Sequence, residues 1–225
     1  MASQRFASSL LSVLLAGCSA TPPERAPQPS LDTASLRTLL RVPTAFSLAD
    51  WEITELPQLA YPVVAAKYQR DTAVRIAVVP LTGDRRSIFD TVIAVTGCGD
   101  AEPDVPRVRT LVIARRLLVA VEVRRHEAGC TGQSSNEMTT VYLLDTQRGF
   151  HQALAYVVDS IDYGNPDDKP QRAPIYRRGY VYPNVCTERG CIELTAFFVG
   201  SGPKRPASYV NWRWNSDSTA LVPLK

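Results

Sequence analysis

The feature that most constrains this chain is a series of short runs rich in Val, Ile, Tyr and Thr, each closed by Gly, Pro, Asn or Asp. β-Branched and aromatic residues suit a pleated, half-buried surface, and the closing residues favour turns. Runs of this kind place candidate strands at 63–68, 73–80, 88–96, 110–114, 117–124, 139–145, 153–162, 176–182, 192–199 and 209–214. Many short strands at close spacing predict a mainly β chain of antiparallel sheets, which a sandwich, a barrel-like sheet or a propeller-like arrangement would each satisfy. Within 117–124 the odd positions are apolar, while Glu122 and Arg124 stand at even positions near the end. That pattern predicts one core face and one face reaching water. Near the C-terminus Val210, Trp212 and Trp214 share one strand face, and Tyr209, Asn211 and Arg213 share the other. The tryptophans are read as core rather than as a ligand platform, because large aromatics dominate core burial.

Arg5 precedes an apolar run over 6–15 broken only by small Ala and Ser residues. The run is shorter than the about 20 residues needed to span a bilayer, and it has the build of an export signal. It closes with Leu15-Ala16-Gly17-Cys18, which resembles the lipobox of bacterial lipoproteins. The resemblance covers the first eighteen residues and no family is recognised for the rest. It implies a signal peptide over 1–17, cleavage before Cys18, a diacylglyceryl thioether on its sulfur, and a further acyl chain, such as palmitate, on its new amine. Two or more chains are what stable anchoring needs. Ser19, in place of a retaining Asp, implies an outer-membrane anchor facing the periplasm. The alternative is an ordinary secretory signal that leaves a soluble protein with a spare thiol. Pro22, Pro23, Pro27 and Pro29 make 18–30 a lipidated cysteine with an extended tether. Residues 31–225 are then one β-rich domain, opening on 31–42 as a short amphipathic helix or a coil, stopped by Pro43.

The formal charge is +3, and loss of Arg5 with the signal leaves about +2. Acidic residues balance the arginine pairs Arg85-Arg86, Arg115-Arg116, Arg124-Arg125 and Arg177-Arg178. Nucleic-acid binding, which needs an unbalanced basic field, is therefore not expected. With Cys18 assigned to lipid, Cys98, Cys130, Cys186 and Cys191 remain, an even number that suits two disulfides in an oxidising compartment. Sequence proximity favours Cys98 with Cys130 and Cys186 with Cys191. Zinc is disfavoured: CxxC spacing is absent, and His126 and His151 are the only imidazoles.

No catalytic constellation stands out, so the expectation is a protein that is not an enzyme. His126, read in a turn with Ser134 and Ser135 downstream, lacks a Gly-x-Ser-x-Gly elbow, and His151 opens a strand. Asp100, Glu102 and Asp104 sit among Gly99, Pro103 and Pro106, the setting of a solvated loop. No cofactor is expected. Calcium is the ion with the best donors, in Asp159, Asp162, Asn165, Asp167 and Asp168, but they lack EF-hand spacing. Gly200-Ser201-Gly202-Pro203-Lys204 lacks P-loop spacing and reads as a hairpin loop. What remains is a stapled, tethered β domain, which suits a module that binds another protein of the envelope. The leading expectation is an inhibitor or immunity protein against an envelope-degrading enzyme. The alternative is a structural or assembly lipoprotein of an envelope complex. Contacts are expected from two long polar stretches, 126–138 and 163–176, with Arg125, His126, Arg172 and Tyr176 as anchors, since Arg and Tyr are enriched at hot spots.

Overall fold

The alternating runs become strands of two open antiparallel sheets, described in a computed structural model for residues 33–59, 61–70, 73–81, 87–94, 102–127, 136–164, 173–184, 192–201 and 207–224. The described fold is mainly β, and neither sheet closes into a barrel. It begins with the short helix α1 (Thr33–Leu39), which buries Leu36, and Leu40 just beyond it. Leu40 N still donates to Leu36 O at 2.8 Å, but Arg41 turns to a φ of 48° and Pro43 cannot continue a helix.

The first sheet has the order β1 (Ser47–Thr54), β2 (Val63–Arg70), β3 (Ala73–Pro80) and β4 (Phe89–Ala94). The second holds nine strands. It opens with β5 (Glu102–Pro103) and β6 (Arg107–Ile113), both paired to β7 (Arg116–Glu127). From β7 it runs as a meander through β8 (Asn136–Asp145), β9 (His151–Asp162), β10 (Ile175–Pro183), β11 (Leu194–Gly200), β12 (Ser208–Trp214) and β13 (Leu221–Pro223).

Two cores follow from the alternation of β7. Its odd residues Val119, Val121 and Val123 pack with Val108 and Leu144 against Val63, Ala65, Val74, Ile76 and Val78 of the first sheet. Its even residues Leu118 and Ala120 join Ile113, Val141 and Leu143, which meet Leu194, Ala196, Phe198, Trp212 and Leu221. The layer β6–β9 therefore lies between the first sheet and the layer β10–β13. Each buried Val, Leu or Ile contributes about 1.5–3 kcal/mol. The one-faced reading of 117–124 needs correcting: β7 is covered on both faces, and only its last turns of alternation, Glu122 and Arg124, escape the second core. Trp212 is buried in that core and Trp214 packs against it, as read from the sequence. The face carrying Tyr209 points outward.

The second sheet divides at the end of β9. The register between β8 and β9 shifts between Thr139 and Thr140, inserting Val158 as a bulge, and such bulges bend a strand. β10 pairs with β9 only from Ile175 to Arg178 and then departs to lie over the second core. The departure occurs at Gly179, where a Cβ would stand 2.5 Å from Val158 O and 2.7 Å from Phe198 Cε1. Only a residue without a side chain permits that crossing. At the opposite end of β8, Asp145 is fully buried. It accepts from Gln147 N at 3.0 Å and from Arg116 Nη1 at 3.2 Å. Arg116 also donates to Ser218 O at 2.8 Å and lies 4.4 Å over the Trp214 ring, tying three turns together.

Candidate functional site

Where β10 leaves β9, a cleft of ≈ 500 Å³ opens between β10 and the face of β6–β9 that carries Glu122 and Arg124 of β7. Its apolar surface comes from Val141, Tyr156 and Val158, the outward continuation of the second core. Its rim is ionic because the even face of β7 changes from Leu118 and Ala120 to Glu122 and Arg124. Arg109 Nε bonds Glu122 Oε1 at 2.7 Å, Arg124 bonds Glu137, and Arg178 Nε lies 3.6 Å from Asp159 Oδ2. Each pair crosses between neighbouring strands, and half-exposed pairs of this kind contribute only about 0–1 kcal/mol. Their effect is to hold long side chains in place around the opening. Arg107 is the rim arginine that has no ion-pair or hydrogen-bond partner among the described residues. Tyr180 and Tyr182 of β10 complete the wall.

The protonation states are set by these contacts. The Arg124 guanidinium holds the Glu137 carboxyl below its ordinary range of about 4.5, partial burial opposes this, and the Tyr163 hydroxyl, 2.9 Å away, adds to the lowering. A general acid for hydrolysis needs the opposite shift. Burial pushes the Tyr156 phenol well above its usual range, with Arg109 opposing and Glu122 reinforcing, so it stays neutral. Tyr156 Oη and Asp159 Oδ1 are both buried without a hydrogen-bond partner among the described residues. Such groups cost about 1–3 kcal/mol each, which a ligand that reaches them returns.

The sequence-derived anchors are not brought to one place. Arg125 and His126 are strand residues on opposite faces of β7, which corrects the placement of His126 in a turn. Arg125 has its Nε buried without a hydrogen-bond partner among the described residues. His126 stands beside the cleft with Nε2 3.5 Å from Asp104 Oδ2 and Nδ1 3.6 Å from Glu137 Oε1. Tyr176 is exposed on β10, and Arg172 lies outside the described residues. The stretches 126–138 and 163–176 are shorter as loops than expected, since β7 runs to Glu127, β8 begins at Asn136 and β10 begins at Ile175. His151 opens β9 as expected and is exposed. Ser134, Ser135 and Asp100 lie outside the described residues, and among those described no hydroxyl is bonded to His126.

Of the calcium donors, Asp159 faces Arg178 and Asp162 Oδ1 accepts from Gly164 N at 2.9 Å. Asn165, Asp167 and Asp168 lie outside the described residues, among which no group of three or more His, Cys, Asp or Glu side chains could hold a metal. Cys18, Cys98, Cys130, Cys186 and Cys191 also lie outside them. No described helix is long and apolar enough to cross a membrane. Sequence reading missed the cleft residues Arg107, Arg109, Glu137, Tyr156, Tyr180 and Tyr182. The one available signal was the switch from apolar to charged even positions within β7.

No family model, curated protein or solved structure matches this chain. The functional reading therefore rests on the residues themselves.

Proposed function

We propose that this chain is an outer-membrane-anchored periplasmic lipoprotein whose β domain binds another protein, and that it inhibits an envelope-degrading enzyme through the cleft beside β10. The observation that carries the reading is the gathering of Arg107, Arg109, Arg124, Arg178, Tyr180 and Tyr182 around one opening with an apolar interior. Arg and Tyr are the residues most enriched at binding hot spots, and a rigid sheet scaffold keeps them pre-organised. The cleft accepts an apolar side chain of the enzyme against Val141, Tyr156 and Val158. Arg107, which has no partner among the described residues to give up, meets a carboxylate beside it. The lipobox-like Leu15-Ala16-Gly17-Cys18 supplies the anchor and Ser19 the outer-membrane address.

A second reading, an assembly lipoprotein, is favoured by one feature. Among the described residues β10 has no ladder partner on its β9 side beyond Arg178, which leaves an edge on which a partner strand could add.

The test uses the full chain with a photo-crosslinking residue at position 107, expressed in the source cells. Crosslinking to one exported hydrolase, silenced at equimolar ratio by the purified chain and released by Arg107→Ala with Tyr182→Ala, is the expected result. Crosslinking to a multi-protein assembly, or to no hydrolase, overturns the inhibitor reading.

A further inference from the structure

A second surface, on the outer face of β10–β12, has the chemistry of a sugar-binding platform. Tyr180, Phe197 and Tyr209 stand directly opposite one another across three neighbouring strands. Tyr180 and Tyr209 are 47% and 69% exposed, and the Phe197 and Tyr209 rings lie 4.8 Å apart at 35°. The next row along the same face is polar and uncharged, with Tyr182 opposite Thr195 and Thr195 opposite Asn211. Asn184 Nδ2 donates to Thr195 Oγ1 at 2.8 Å, and Thr195 Oγ1 donates to Asn211 Oδ1 at 3.0 Å. Asn211 Nδ2 has no partner among the described residues. Among the described residues, charged side chains flank these rows rather than interrupt them, and each arginine faces a carboxylate: Arg178 with Asp159 at 3.6 Å and Arg213 with Glu193 at 3.7 Å.

We infer that this face binds a linear pyranose glycan. Sugar rings offer an apolar C–H face to aromatic rings and hydroxyl or acetamido groups at their edges. A row of rings beside a row of amide and hydroxyl groups meets both. Three strands span about 10 Å, the length of a short run of sugar rings.

Charge and area favour this occupant. Nucleic acid and anionic lipid need unpaired cations, and among the described residues the two arginines of this face are each matched by a carboxylate. A second copy of the chain needs about 800 Å² per partner, more than the three rings alone offer. The inference is independent of the cleft reading, although Tyr180 and Tyr182 border both surfaces.

The test uses the full chain in a detergent without a sugar headgroup, with insoluble peptidoglycan and chitin as matrices and a soluble N-acetylglucosamine oligomer as competitor. The expected result is retention that persists at about 0.5 M salt, where exposed charge attractions are screened, and release by the competitor. Tyr209→Ala and Tyr180→Ala should each weaken retention about tenfold, the loss of one ring contact, with a native far-ultraviolet circular dichroism spectrum; Tyr209→Ala, which also gives up its ring contact with Phe197, should melt only slightly lower. Arg107→Ala should bind glycan as the native chain does while losing the protein partner, so the two readings fail separately. Retention on one matrix and not the other identifies the glycan's source within the class. Passage through both matrices, elution by salt alone, or native-like binding by Tyr209→Ala overturns the inference.

Discussion

Gly179→Ala tests the geometry that creates the cleft. Its added methyl would lie 2.5 Å from Val158 O and 2.7 and 2.9 Å from Phe198 Cε1 and Cδ1, so something must move by roughly 0.5–1 Å to restore normal contact. Neither neighbour yields easily. Val158 O is backbone at a bulge, and the Phe198 ring is buried in the second core under the Arg177 guanidinium, 3.8 Å from its centroid. Overpacking of this kind costs about 1–3 kcal/mol. Reduced entropy of the unfolded chain offsets about 0.4–1 kcal/mol. Taking mid-range values, about 2 less about 0.7, the net loss is about 1.3 kcal/mol, or roughly 3–5 °C in Tm for a domain of this size. Urea and thermal unfolding followed by far-ultraviolet circular dichroism measure it. The sign is diagnostic, because alanine in a strand interior with room for it stabilises by about 0.5–1 kcal/mol. A variant as stable as the native chain, or more so, would refute the close crossing and with it the account of the cleft.

Asp145→Ala should cost about 3–4 kcal/mol in urea unfolding, since it strands Arg116 and Gln147 N at a buried junction, and Asp145→Asn should cost less because it keeps the Gln147 contact. Equal, small losses in both would show that the junction carries little weight. Glu137 has a folded-state pKa below its unfolded value, so its stabilisation is present above about 4.5 and is lost as pH falls through the folded value. Urea midpoints at descending pH should therefore fall less steeply in Glu137→Gln than in the native chain, and parallel profiles would contradict this. The cysteine pairing expected from the sequence can be tested directly, although the cysteines lie outside the described residues. Glu102 and His126 are paired and stand four residues from Cys98 and Cys130 respectively, and paired Pro183 and Leu194 stand three residues from Cys186 and Cys191. Peptide mapping without reductant should find Cys98 linked to Cys130 and Cys186 to Cys191, and any other linkage would overturn the pairing expected from sequence proximity.

Much of the fold was legible because strand alternation is local. The run 73–80 matches β3 residue for residue, and each of the other nine runs lies largely within a strand. β1 was missed because Ser47-Leu48-Ala49-Asp50-Trp51-Glu52-Ile53-Thr54 shows no unbroken period of two, its register with β2 slipping between Leu48 and Asp50. β7 was misread on one face because Leu118 and Ala120 are covered by β11–β13, strands distant in sequence. The cleft was invisible for the same reason. Arg109, Glu137, Asp159 and Arg178 meet only through inter-strand register and the Val158 bulge, neither of which a linear pattern encodes. The outer-face grouping of Tyr209, Asn211 and Arg213 was readable from alternation, whereas the alignment of Tyr209 with Phe197 and Tyr180 required the sheet.

The position of β7, laddered to β6 and β8 and roofed on both faces, bears on how the domain comes apart. Neither layer can shed its contacts without exposing a face of the same strand, so the two cores are expected to open together as one cooperative unit. The amides of Val119, Val121 and Val123 should then be the last to exchange with deuterated water, at a rate reporting global unfolding.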